Sequence, residues 1–172
     1  ICIKNRNECI KSASNVLQMA EKHIKLVPNV LKQSIIQYVC EYSIMTKNCI
    51  EESLFMEILQ LADDGNFFIR DEAANCIAIS IIETKRKFIN IKFLAEVFSN
   101  HIGGNNEVVL NIINALRIIL DYTEKENGFL AFTLEVLNNF NLEELLQSDD
   151  DEINEAAQSL LAKIIEAGNQ ED

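Results

Sequence analysis

The chain has 172 residues, enough for one domain with a sizeable core, and 48% are hydrophobic, which excludes disorder over most of its length. One proline and five glycines are too few for a turn-rich sandwich or barrel and favour helices. Net charge is −12 and uneven: residues 1–60 carry seven basic and six acidic groups, residues 61–172 eight and 21, a field that repels phosphate backbones and so excludes nucleic acid as an expected partner.

In chain order, an amphipathic stretch at 8–26 comes first. VPN at 27–29 places the only proline at a helix boundary. A second helix follows with Val30, Ser34, Tyr38 and Tyr42 on one face, then the polar turn TKN. CIEESLFMEILQLA at 49–62 is the third stretch, ended by DDGN at 63–66, which supplies a glycine and an N-cap. Ile69, Ala73, Ile77 and Ile81, with Ala74 beside them, mark a fourth helix, closed by ETKRK. The pattern repeats as 88–102, GGNN, then Val108, Ile112, Leu116 and Leu120. After DYTEKENG it repeats as 129–147, SDDD, then Ile153, Ala157, Leu161 and Ile165. Acids in SDDD suit a helix N-terminus. No sustained period-2 run is present.

Four helices thus share a frame at spacings of 39, 39 and 45 residues. A helix hairpin that recurs about every 40 residues cannot bury its apolar face alone, but stacked copies can. The expected fold is all-α, a right-handed α-solenoid of about four repeats in one domain (1–46, 47–86, 87–126, 127–168). An up-down bundle is the alternative, although a bundle needs no internal repeat. The opening ICIKNRNE lacks an initiator methionine, so a segment of a longer chain is expected.

Catalytic signals are missing. No Gly-rich phosphate loop, GxSxG or HExxH occurs, and the carboxylates cluster in turns and at the acidic end. The five cysteines form no CxxC pair and have only His23 and His101 to assist them. They read as free thiols in a reducing compartment, with no zinc site. No enzyme activity, metal or cofactor is expected. KRK at 85–87 reads first as a solvated turn and second as a localisation signal. Without an apolar run of 18 residues or a recognisable leader, the expected location is cytoplasm or nucleus, with no membrane partner.

NFFIRDEAANCIAIS and DDDEINEAAQSLLAKII resemble inner-layer helices of the armadillo/HEAT superfamily. Within it, LEELLQSDDDEINEAAQSLLAKII is similar to the last repeats of the importin-α family. The resemblance implies a nuclear transport adaptor that grips basic peptides with a tryptophan and, one turn later, an asparagine. Here the tryptophan positions fall on Ile36, Asn75, Asn114 and Ser159, and the asparagine positions on Cys40, Ile79, Ile118 and Lys163. The chain has no tryptophan, so that ladder is absent.

These eight positions lie six and ten residues after the first stripe residue of each inner helix. They sit roughly a fifth to a third of a turn off the stripe, where a groove would begin. Asparagine carries two donors and an acceptor, so Asn75 and Asn114 can clamp the backbone of an extended partner. Equally, they can bond to a neighbouring helix or to water. Ile79 and Ile118 would add apolar contact. The expected partner is another protein or an extended, basic peptide; a second copy of the chain, docked on an uncapped end of the array, is the alternative.

Overall fold

The structure is a computed structural model that describes residues 2–86, 91–123 and 142–168. Most of the expected helix at 129–147, Lys87 and the tail GNQED from residue 169 lie outside these. All regular elements among the described residues are α-helices. The chain divides into two compact units, Ile1–Thr84 and Lys85–Asp172.

The first unit holds α1 (Cys2–His23), α2 (Asn29–Thr46), α3 (Glu52–Asp64) and α4 (Phe67–Thr84). Pro28 opens α2: its carbonyl accepts hydrogen bonds from Leu31 and Lys32. Its missing N–H costs nothing at a helix start. Only Gly65 and Asn66 separate α3 from α4. A Cβ at Gly65 would collide with the Leu61 carbonyl, so this sharp reversal requires glycine. Asn66 then caps α4, its side-chain oxygen accepting from the Ile69 N–H at 3.2 Å.

The helices pair by layer. Ser53 donates to Glu21, and Lys25 pairs with Glu57, so α1 and α3 run side by side in the same direction. Gln33 donates to Glu72 at 2.6 Å, Ser43 and Ser80 share a hydrogen bond at 2.9 Å, and Lys47 pairs with Glu83, so α2 and α4 do the same. Leu54, Phe55, Ile58, Leu59 and Ala62 of α3 pack with Ile69, Ala73, Ile77 and Ile81 of α4, all buried. Fully burying each large side chain is worth about 1.5–3 kcal/mol.

In the second unit, α5 (Ile91–Ser99), α6 (Asn106–Thr123), α7 (Leu142–Leu146) and α8 (Asp151–Gly168) follow. The expected caps form here too. Asn105 accepts from the Glu107 N–H at 2.8 Å, and Asp150 from the N–H groups of Glu152 and Ile153 at 3.0 and 3.2 Å. The Asn106 amide donates to Asp150 at 2.8 Å, and Lys163 pairs with Asp121, so α6 and α8 also run side by side in the same direction.

The apolar frame is buried throughout α4 and α6, and at Ile153 and Ala157 of α8. It fails in α2. Val30 is 75% exposed, Ser34 is exposed, and Tyr38 and Tyr42 are half-buried. The buried residues of α2 are Ile36, Val39 and Ser43. Ile35, Val39 and Ser43 precede Ala73, Ile77 and Ile81 by 38 residues, not 39. A one-residue slip turns a helix face by about 100°. The helix ends agree with the shorter spacing. Thr46 and Thr84 each donate to the carbonyl four residues back, at 2.7 and 2.6 Å, and are followed by Lys47 and Lys85, both left-handed with φ 56° and 52°.

Removing one hydroxyl of the buried serine pair leaves the other without this partner. Ser43→Ala and Ser80→Ala are each expected to cost about 1 kcal/mol, and the double variant less than their sum. Urea unfolding of the three variants measures this; strict additivity would show that the two hydroxyls are not coupled.

Candidate functional site

On α4, Glu72, Asn75 and Ile79 follow at spacings of three and four and share one face. On α6, Asn111, Asn114 and Ile118 do the same, each 39 residues later. All six are half-buried, at the border between the core stripe and the surface. Neither lead asparagine is idle. Asn114 accepts from the Arg117 guanidinium at 3.3 Å, and Asn75 is engaged as well. Ile79 and Ile118, one turn on, keep part of their apolar surface in water, which a partner would gain by covering.

Of the other four candidates, one lies in the core. Ile36 is 1% exposed and belongs to the core of the first unit, so it lines no surface. That placement follows from the register slip in α2. Cys40 is half-buried and faces α4, in contact with Cys76. Ser159 and Lys163 are half-buried on α8, and the Lys163 ammonium is occupied by Asp121 of α6. Ile36 therefore does not share the half-buried placement of the other seven positions. The structure places Asn75 with Ile79, and Asn114 with Ile118, one pair in each unit.

Two polar atoms beside these faces are enclosed without a hydrogen-bond partner among the described residues: Glu72 Oε2 and Arg117 Nε. The other Glu72 oxygen accepts from Gln33 at 2.6 Å and Gln37 at 3.5 Å. Such enclosed atoms have given up hydrogen bonds to water, a cost that falls beside both faces.

The first unit also presents an apolar surface that the repeat pattern did not single out. Phe67 and Phe68 are 82% and 76% exposed, with rings edge to face and centroids 5.7 Å apart. They form the first turn of α4. Val30 and Leu31, also exposed, form the first turn of α2, which runs alongside, and exposed Leu26 precedes it. Grouped exposure of this kind is less common on a monomer than single exposed side chains. A signal was present: two phenylalanines stand between the Asn66 cap and Ile69, ahead of the core stripe.

Cys76 is buried, and its thiol is pushed well above the ordinary range, first by its hydrogen bond to Cys40 and then by burial, while Ser80 pulls the other way. Among the described residues no group of three or more His, Cys, Asp and Glu side chains is placed to hold a metal ion. None of the described helices is long and apolar enough to cross a membrane. Comparison with known protein families, curated proteins and solved structures finds no match.

Two outcomes follow from these placements. A thiol raised in the folded state stabilises fully below its unfolded value and loses that contribution as pH rises, so stability falls above about pH 8.5. Urea midpoints from neutral to alkaline pH should show this fall, and Cys76→Ala should flatten it; an unchanged slope would show that Cys76 ionises freely in the folded chain. The exposed aromatic pair contributes little to folding. Phe67→Ser with Phe68→Ser is expected to shift stability by no more than about 0.5–1 kcal/mol, measured by the same unfolding.

Proposed function

We propose that each unit is a stretch of α-solenoid of the armadillo/HEAT kind, and that the chain is a non-enzymatic scaffold for another protein. The side-by-side pairing of α1 with α3 and of α2 with α4 supports the repeat reading, as does that of α6 with α8. A single observation carries the binding reading. The same pair, an asparagine and an isoleucine one turn later, stands half-buried on the same face of α4 and of α6. The asparagine amides meet the backbone of an extended partner segment, and the isoleucines cover its apolar side chains.

Charge favours a second, narrower reading, an adaptor for basic partners of the nuclear-transport kind. Glu143, Glu144, Asp149, Asp151, Glu152 and Glu155 are all exposed around α7 and the start of α8. Such a cluster raises the local concentration of a basic peptide and does so less at high salt. In this reading the chain works in the cytoplasm or nucleus.

Asn75→Arg and Asn114→Arg place long charged side chains on the proposed face. Together they are expected to weaken binding of the partner recovered with the wild-type chain at least tenfold, about 1.4 kcal/mol, with helicity and unfolding midpoint retained. Undiminished binding by the folded double variant would remove this face. Titration with a basic peptide at low and at physiological salt separates the two readings: only the adaptor reading expects saturable, salt-sensitive binding.

A further inference from the structure

The seam between α2 and α4 is lined by small and polar side chains. Gln33 and Gln37 meet Glu72, Ser43 meets Ser80, and Lys47 meets Glu83. Serine reaches only one atom beyond its Cβ, so a bond of 2.9 Å between two serine hydroxyls brings the two backbones into the range a disulfide also needs. About one turn earlier on the same seam stand Cys40, three residues before Ser43, and Cys76, four residues before Ser80. Neither is in a disulfide, and both stand on this seam between the Gln37–Glu72 and Ser43–Ser80 bonds. Cys40 is half-buried and Cys76 buried, so only one of the two is open to a reagent from solvent.

We propose that Cys40 and Cys76 are an oxidisable dithiol, which a hydroperoxide converts to a disulfide linking α2 to α4. The Cys40 thiolate attacks one peroxide oxygen and the O–O bond breaks. With hydrogen peroxide this leaves a sulfenic acid on Cys40 and releases water. The Cys76 sulfur then attacks the Cys40 sulfur, the S–O bond breaks, and the hydroxyl leaves with the Cys76 proton as a second water. Two thiols lose two electrons and the peroxide gains them. The exposures assign the order, with Cys40 reacting first and Cys76 resolving from the protected side. The link closes the chain between residues 40 and 76 and fixes the spacing of the two helices next to Asn75. The proposal does not depend on what the Asn75 face binds.

The test uses the full chain carrying C2S, C9S and C49S, so that only Cys40 and Cys76 remain, with the unsubstituted chain in parallel. After a slight excess of hydrogen peroxide, the intact mass of the two-cysteine chain should fall by about 2 Da, and a reductant should restore it. Non-reducing peptide maps of both chains should show the Cys40 peptide joined to the Cys76 peptide within one molecule. The melting temperature should rise by on the order of 5–10 °C and return on reduction. Linkage from Cys49 or between molecules, or Cys40 oxidised to sulfinic acid with Cys76 left as a thiol, would overturn the proposal. The map of the unsubstituted chain decides the matter even if the substituted one folds poorly.

Discussion

The close approach of α2 and α4 is the constraint on which the rest of the first unit depends. A two-helix hairpin has more apolar surface than it can bury within itself, so α3 and α4 need a neighbouring pair. Small side chains let that neighbour come near. Ala73 and Ala74 leave the core side of α4 slim, and Ser80 and Cys76 leave its α2 side slim. The polar atoms thereby enclosed must find partners, and they do: hydroxyl to hydroxyl, amide to carboxylate, ammonium to carboxylate. Leucine at these positions would bury more area but would hold the helices apart.

The same closeness sets the chemistry available at the surface. A helix held on one side by its hairpin mate and on another by a parallel neighbour has a limited arc left over. On α4 that arc carries Glu72, Asn75 and Ile79, neither fully covered nor free. Residues in this position can be positioned by the fold and still be reached by a partner, which is what a recognition face requires. On α6, beside its parallel neighbour α8, Asn111, Asn114 and Ile118 are half-buried as well. There Asn111 replaces Glu72, and Arg117 holds Asn114. The recurrence therefore lies in the position and in the Asn–Ile pair, while the surrounding charge differs.

Much of the local structure was legible because its causes are local. Asn66, Asn105 and Asp150 cap helices through bonds spanning two or three residues, and Pro28 and Gly65 act through their own backbones. The stripe of α4 was equally plain, since alanine and isoleucine recur there every fourth residue. In α2 the pattern misleads for a physical reason. Val30, Leu31, Ile35, Ile36, Val39, Ile44 and Met45 are spread around the helix, so several faces look almost equally apolar. The Thr–Lys pair that ends both α2 and α4 carried the correct spacing of 38 residues. Used as the anchor, it would have placed Ile36 in the core from the outset.

By itself, the amino-acid sequence determined that this protein is helical, where most described helices begin and end, and which stripe α4 and α6 bury. Each of these follows from hydrogen bonds and side-chain periodicity within a few residues. Tertiary structure alone decided which face of α2 turns inward, that Phe67 and Phe68 remain in water, and that Cys40 meets Cys76 across 36 residues of chain. Those outcomes depend on what a neighbouring helix covers, and a neighbour's position is not written in any short stretch of residues.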